Sequence, residues 1–346
     1  MSSPPVGVGL VGAGAYGQFC LAAFALMPEV YVAAVCDSDR VRAERFAAQY
    51  GVRAYTELSA MLNDSAVEIV ALNTPPFLHA EQGLAVLQAG KHLFCEKPLA
   101  LTLSEGEALR AAAEQTGTRL TVDYVMRQNP LWRMAARLRE AGVLGKLLHL
   151  SLTNHAAGLS LPAQHWFWNK AQSGGIWIEH GVHFFDAFAW VAGAVGTVSA
   201  AQRFVNAAGQ EDRVEALATY GETAAHFYHG FTHSGTTEQT TVALTFEHAY
   251  MHLQGWVPTN LTFSGLDAAG HAAIQPFLTD DLRVTSMSGA SLVVDTSGDK
   301  SAVYRACIQA GMRDLAGAVR DPNKSLRVTV EHGLASLRMA LEAERL

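Results

Sequence analysis

No block of basic residues occurs anywhere in these 346 residues, and 25 lysines and arginines are outnumbered by 32 aspartates and glutamates for a formal charge of −7. That balance argues against nucleic acid or an anionic membrane as the main partner. Cysteine is scarce as well. Cys20, Cys36, Cys95 and Cys307 stand far apart with no CxxC pair, so buried reduced thiols and a cytoplasmic location are expected. No apolar run predicts a membrane span: the nearest, Phe19 to Val35, is broken by Pro28 and Glu29 and reads as the end of a helix followed by a strand. The first apolar stretch lacks a positive leading region, so no secretory signal is expected. Internal repeats and low-complexity segments are also missing. Hydrophobic residues make up 49% and charged residues 16% of the chain, as in a folded globular protein with disorder limited to its first few residues. The length predicts two domains, each able to bury its own core.

Glycine, by contrast, stands where it carries chemistry. Gly12-Ala13-Gly14-Ala15-Tyr16-Gly17 follows an apolar run, Val6 to Val11, and opens an apolar-periodic segment from Tyr16 to Met27. The pattern predicts strand, tight turn and helix. Gly12 permits the turn, Gly14 lets backbone N–H groups approach a pyrophosphate, and Gly17 lets the helix pack closely on the strand, which places the phosphates at a positive helix N-terminus. A second apolar run, Val30 to Val35, leads to Asp37, about 20 residues past the last glycine, where a carboxylate can hydrogen-bond an adenosine ribose 2′-hydroxyl. Asp37 favours NAD, because its charge repels a 2′-phosphate. Arg40 is close enough in sequence to offer that phosphate a partner, which keeps NADP possible. A purely structural glycine corner is the plainer alternative, and the spacing to Asp37 weighs against it.

From residue 1 to 123, short apolar runs alternate with helical stretches. Strands are expected near Val6–Val11, Val30–Asp37, Ile69–Asn73, His92–Cys95 and Leu120–Asp123. Helices are expected at Arg40–Tyr50, Leu78–Ala89 and Ser104–Gln115, the last with Ser104 as its N-cap. This is the rhythm of an α/β protein with a doubly wound, parallel Rossmann sheet. Beyond it, residues 124 to 346 predict an α+β domain for substrate binding and oligomerisation. A helix at Leu131–Ala141 precedes a strand at Leu147–Thr153, an aromatic loop and a helix around Phe184–Val191, and then several strands follow. Thr240 to Phe246 alternates, with Val242, Leu244 and Phe246 on one face and Thr241, Ala243 and Thr245 on the other, as in a large, open, mainly antiparallel sheet. Two helices close the chain, Ala302–Val319 and Thr329–Arg345, the last able to pack back on the first domain.

Two further stretches are Gly90-Lys91-His92-Leu93-Phe94-Cys95-Glu96-Lys97-Pro98-Leu99-Ala100 and Gly174-Gly175-Ile176-Trp177-Ile178-Glu179-His180-Gly181-Val182-His183-Phe184-Phe185-Asp186. Together with the glycine corner, the segment Thr74-Pro75-Pro76-x-x-His79 and Asn323-Lys324-Ser325-Leu326, they make the chain resemble the Gfo/Idh/MocA family of NAD(P)-dependent oxidoreductases along nearly its whole length. The Glu-Lys-Pro tripeptide and the carboxylate-x-Gly-x-His-x-x-Asp run, in this order, are specific signals. The resemblance implies cofactor contacts from Gly12, Gly14, Ala15, Tyr16, Gly17, Asp37, Arg40, Asn73, Thr74, Pro75, His79, Glu96 and Lys97. It also implies a homodimer or homotetramer assembled through the outer sheet face.

Lys97 lies just past an apolar strand at the carboxyl edge of the sheet, where ligands of open α/β folds bind; a lysine capping a surface turn is the plainer alternative. The resemblance implies that it hydrogen-bonds the reacting hydroxyl or carbonyl, with a positive nicotinamide and partial burial lowering its pKa. His183 is the expected proton acceptor, since imidazole titrates near neutrality and the matching family position is the general acid/base. Glu179 stands where the family usually has aspartate. If Gly181 onward is helical, Glu179 sits at the helix entrance and can orient His183 or a substrate hydroxyl, its extra methylene putting the target oxygen in question.

For substrate, the resemblance places Tyr124, Arg127 and Asn129 beside the nicotinamide. His155, His165, Trp166, Phe167 and Trp168 form an aromatic, histidine-rich loop suited to stacking on a sugar ring, with core packing as the alternative; His180 is a further candidate. His226, His229 and His233 supply no recognised metal spacing, since on a strand His226 opposes the other two, and no metal is expected. The expected protein is an NAD(P)-dependent dehydrogenase acting on a sugar, inositol or related polyol bound between the two domains. Alternatives are a redox-neutral NAD-dependent glycosidase, a non-catalytic dinucleotide-binding regulator and a metal-dependent hydrolase.

Overall fold

Six strands, buried for most of their length except for one exposed strand at the sheet edge, organise the N-terminal half. They are β1 (Val6–Val11), β2 (Val30–Cys36), β3 (Arg53–Tyr55), β4 (Ile69–Leu72), β5 (His92–Cys95) and β6 (Leu120–Val122). In the computed structural model, which describes residues 4–346, they form one parallel sheet in the order β3-β2-β1-β4-β5-β6. Every residue of β1 and β4 is buried, because helices cover both faces of a parallel sheet and leave no polar side. The order reverses between β1 and β4, and that switch opens a crevice at the strands' carboxyl ends. Short β3 and the helix Leu58–Leu62 carry too little apolar pattern to be expected from sequence.

The helix Leu103–Thr116 corrects one expectation. Its cap is Thr102 rather than Ser104: the Thr102 hydroxyl accepts from Glu105 N at 3.2 Å while the Glu105 carboxylate accepts from Thr102 N at 2.9 Å. Reciprocal bonding of this kind satisfies two otherwise orphaned donors; Ser104 also has a glutamate three residues on, but Glu107 pairs with Arg110 at 2.6 Å and Ser104 already lies inside the helix. Arg305–Leu337 belongs to the same compact unit as the chain up to Val125. Gln309 donates to the Ala23 carbonyl at 2.8 Å, Arg320 clamps Glu68 through two bonds of 2.6 and 2.8 Å, and the Thr121 hydroxyl donates to Val328 O at 2.8 Å.

The second unit takes Met126–Tyr304 and Arg338–Leu346. Its sheet has nine strands: β7 (Leu147–His155), β8 (Gly196–Val205), β9 (Glu211–Tyr220), β10 (Thr223–Gly230), β11 (Gln239–Phe246), β12 (Tyr250–Gln254), β13 (Asn260–Ser264), β14 (Leu282–Ser288) and β15 (Ser291–Thr296). The order is β14-β15-β13-β12-β11-β7-β10-β9-β8, with β7 and β10 parallel and the other neighbours antiparallel. Val242, Leu244 and Phe246 are buried while Thr241, Ala243 and Thr245 alternate with them on the more open face. The inner face packs on the helix Val182–Ala192, where Phe185 and Phe188 each meet Phe227 at 4.8 Å between ring centroids. Burying rings of this size stabilises the unit by roughly 2–3 kcal/mol each. That packing fixes the helix on which the family-like histidine sits.

Candidate active site

One candidate cluster lies at the carboxyl edge of the parallel sheet. Gly12 has φ +85°, and a Cβ there would stand 2.7 Å from Asn73 O; one on Gly17 would stand 2.0 Å from Gly12 O. Both positions therefore demand glycine. A Cβ on Gly14 would meet nothing within 4 Å, and the helix Ala15–Phe24 has neither a side-chain cap nor an acidic residue in its first turn. An uncapped helix N-terminus with open space before it is a place where an anionic pyrophosphate fits.

Asp37, 6% exposed, closes this corner. One carboxylate oxygen accepts from Ala13 N at 2.8 Å and the other from Asp39 N at 2.9 Å, and Arg42 Nη1 reaches both at 3.4 and 3.2 Å. A carboxylate has further lone pairs for a ribose hydroxyl. Arg40 is exposed and faces Glu44 at 3.9 Å, so the cation at the carboxylate is Arg42, which the sequence reading missed. It is the residue after the turn that points back, and only the helix register of Arg40–Tyr50 selects it.

Asn73 and Thr74 follow β4: the Asn73 amide donates to Ala71 O at 3.3 Å and the Thr74 hydroxyl to Gln82 at 2.8 Å. Pro75 is the residue before the short turn Pro76–Leu78. His79 is fully buried, its Nδ1 2.7 Å from Pro98 O and its Nε2 2.8 Å from Thr74 O. Burial pushes its pKa down, against the pull of those two carbonyls and with help from the charge of Lys97. A neutral ring donates to only one of them. His79 therefore ties the loop after β4 to the loop after β5. That second loop carries Glu96, whose N–H donates to Leu72 O at 2.9 Å, and Lys97, 9% exposed. Beside them stands Asp123, also unremarked in the sequence. It is buried, takes a hydrogen bond from the Tyr16 hydroxyl at 2.7 Å, and has its pKa pushed up to about 7 by burial, with Tyr16 and Lys97 pulling the other way. Tyr124, next in sequence, is buried and hydrogen-bonds Ser336.

The other unit carries a candidate cluster of its own. A π turn over Trp177–Gly181 runs straight into the helix Val182–Ala192, so the helical run starts before Gly181 and Glu179 lies inside its first turn. Glu211 caps that start, accepting from Ile176 N at 2.8 Å. Wide turns of this sort recur at functional sites because they re-aim one or two side chains. Here His180 and His183 have ring centroids 6.0 Å apart, and both meet Trp256, at 5.6 and 4.7 Å. His183 is 3% exposed; Glu179, His180 and Trp256 are half-buried. Behind His180, the fully buried His229 lies 5.4 Å away between centroids. Its Nδ1 is 3.4 Å from the Asn154 amide, whose oxygen accepts from Thr240 at 2.8 Å, and burial pushes the ring well below the usual histidine pKa.

Phe231 carries the aromatic loop to this cluster: it meets Phe167 at 4.5 Å and His180 at 5.3 Å. Phe167 is buried while Trp166 and Trp168 flank it half-exposed, and His165 Nδ1 caps the turn by accepting from Phe167 N at 3.3 Å. One turn thus combines a core anchor with two accessible indoles. His155 stacks on Tyr228 and His233 at 5.4 and 4.7 Å. Trp256 and Phe231 gave no sequence signal beyond being aromatic near turns. Arg127 and Asn129 are committed within the unit: Arg127 pairs with Asp186, and Asn129 caps the helix Pro130–Ala141 and donates to Pro258 O at 3.0 Å. His226 bonds Glu215 at 2.8 Å and His233 meets Thr237 at 3.3 Å, and among the described residues no three His, Cys, Asp or Glu side chains converge as metal ligands would. All four cysteines are buried and outside any disulfide. Among the described residues no helix is long and apolar enough to cross a membrane.

Comparison with known proteins agrees with this arrangement. The oxidoreductase family with an NAD-binding Rossmann fold, Gfo/Idh/MocA, matches residues 6–124, and the Gfo/Idh/MocA C-terminal domain matches residues 132–250. The chain belongs to the Gfo/Idh/MocA family. Its N-terminal domain is the family's NAD-binding Rossmann domain, and the open corner at Gly14, braced by Asp37, has the space such a cofactor would need. Among Gfo/Idh/MocA relatives, the D-glucoside 3-dehydrogenase of Escherichia coli is 31% identical over 208 residues, 58% of this chain and 58% of that protein. The scyllo-inositol 2-dehydrogenase (NAD(+)) of Bacillus subtilis is 29% identical over 182 residues, 52% of each. The chain thus spans little more than half the length of these curated relatives. The solved WlbA dehydrogenase of Bordetella pertussis, in complex with NADH and UDP-GlcNAcA, superposes with a TM-score of 0.81 at 18% identity over 100% of this chain and 96% of that one, a likeness of fold.

Proposed function

We propose that this chain is an NAD-dependent dehydrogenase that moves hydride between the nicotinamide and a CH–OH or carbonyl carbon of a sugar, inositol or related polyol. The observation that carries the reading is Lys97, 9% exposed, emerging directly beyond β5 at the sheet edge that also holds the open glycine corner. The curated relatives named for sugar and inositol dehydrogenation support the substrate class. NAD⁺, when bound, supplies the hydride acceptor. Lys97 holds the reacting oxygen by hydrogen bonding and favours its negative charge. His183 takes the hydroxyl proton as the C–H bond breaks and its electron pair leaves with the hydride, giving a carbonyl; carbonyl reduction runs the same transfers backwards. Glu179 orients the substrate, and Trp166, Trp168, His180 and Trp256 offer aromatic faces to a sugar ring.

The more open sheet face around Thr241, Ala243 and Thr245 supports self-association as a dimer or tetramer, which sedimentation checks. Buried thiols outside any disulfide support a cytoplasmic setting. The test of the activity is to incubate purified protein with NAD⁺ and a panel of sugars, inositols and sugar acids, following reduced-nicotinamide absorbance. Reduction with at least one polyol is expected. Tight NAD binding with no reduction anywhere on the panel, accompanied by glycoside cleavage, would replace the reading with a redox-neutral one.

A further inference from the structure

Tyr16 belongs to the glycine corner, yet its hydroxyl is engaged elsewhere: it donates to Asp123, 107 residues away in the chain and immediately beyond β6. Asp123 is 3% exposed, and its own N–H is bound to Cys95 O at 2.8 Å, so both backbone and side chain are fixed. β6 is the strand next to β5, which delivers Lys97. Gly311 faces the carboxylate from the helix Lys300–Arg320: a Cβ there would lie 3.8 Å from Asp123 Oδ1. A buried carboxylate is costly unless it is hydrogen-bonded and paired with a cation. Tyr16 supplies the hydrogen bond, and Lys97 is the cation that acts on Asp123. The other ionisable groups around this cluster are Cys20 from the helix Ala15–Phe24, Cys95 and Glu96 from β5 and the loop after it, and His79 facing Lys97.

We propose that Asp123, held by the Tyr16 hydroxyl, is a positioning residue that keeps the Lys97 amine protonated and aimed, so that the Asp123–Lys97 pair sets the proton inventory of the reaction. The inference rests on the reading of Lys97 as the residue that binds the reacting oxygen. Asp123→Asn keeps the shape and removes the charge. A buried lysine without its counter-charge has a lower pKa, so more of its amine is unprotonated at neutral pH. Tyr16→Phe removes the donor, raises the affinity of Asp123 for a proton, and acts in the same direction more weakly.

The experiment is competitive acetylation of the intact protein, with and without NAD⁺, from about pH 6 to pH 10, reading the Lys97 peptide by mass spectrometry. Acetylation at neutral pH is expected to rise about tenfold or more in Asp123→Asn and by a smaller factor in Tyr16→Phe, with the pH profile of turnover shifting alongside. A Lys97 labelling midpoint unchanged in both variants overturns the proposal. Should Asp123→Asn fail to fold, Tyr16→Phe decides alone. Full activity in Lys97→Met would defeat the catalytic reading of Lys97, an outcome separate from any labelling result.

Discussion

Arg127 holds Asp186 through two hydrogen bonds, Nε to Oδ2 at 2.8 Å and Nη2 to Oδ1 at 2.9 Å, and Asp186 lies three residues beyond His183 on the same helix. Both side chains are almost fully buried, and Arg127 also stacks on Trp190 at 5.5 Å. The pair locks the segment after β6 to the helix that carries His183, the proposed proton acceptor. Arg127→Ala leaves a buried carboxylate with no cation, a loss of about 3–5 kcal/mol, which denaturant unfolding measures. Arg127→Lys retains the charge but not the planar fork, and is expected to recover only part of that stability.

Cofactor choice is predicted to centre on Asp37 and Arg42, which bond each other. Asp37→Ser removes the carboxylate that a ribose hydroxyl would meet and frees Arg42 for a 2′-phosphate. NAD affinity is expected to fall about tenfold or more, as for other hydrogen bonds to charged groups, while NADP use improves. Arg40→Ala, on an exposed side chain paired with Glu44, is expected to leave both unchanged. Titration of each variant with the two dinucleotides distinguishes these outcomes, and equal affinities before and after Asp37→Ser would remove that residue from the adenosine site.

Lys97→Met and His183→Ala are expected to lower turnover by ~10²-fold or more each, with NAD binding preserved in both, because neither side chain belongs to the glycine corner. Fluorescence titration of NAD alongside steady-state rates separates chemistry from binding. Unaltered rates in either variant would place the proton transfer elsewhere.

Stability is expected to fall on the acid side. Burial holds His79 and His229 below the ordinary histidine pKa, so below about pH 6.5 the unfolded chain binds protons that the folded one refuses. Their contribution is whole above that pH and is lost as the pH drops, by up to ~1.4 kcal/mol per pH unit for each ring. His229→Phe is predicted to flatten this dependence between pH 7 and pH 5 even though it sacrifices the Asn154 bond. An unchanged slope in chemical unfolding across that range would refute the assignment.

Much of this was legible in the residues themselves. Strands at Val6–Val11 and His92–Cys95 and the helix Arg40–Tyr50 stand where apolar runs and helical periodicity put them, because those signals are written within a dozen neighbouring residues. The glycine spacing likewise announced the corner, since a Cβ at Gly12 or Gly17 collides with backbone whatever surrounds it. The partners of individual polar side chains were not legible. The sequence did not show that Arg127 and Asn129 bond Asp186 and Pro258, or that Phe231 meets both the aromatic loop and His180.

Sequence alone determined the alternation of elements, the parallel sheet and the glycine corner, all of which follow from local period and steric demand. Tertiary structure decided that Arg42 rather than Arg40 faces Asp37, that Tyr16 reaches Asp123, and that Trp256 joins His180 and His183. Such pairings depend on strand order and helix register, which bring together residues up to 107 positions apart, and in a buried setting each polar group must find whatever partner the packing leaves within reach.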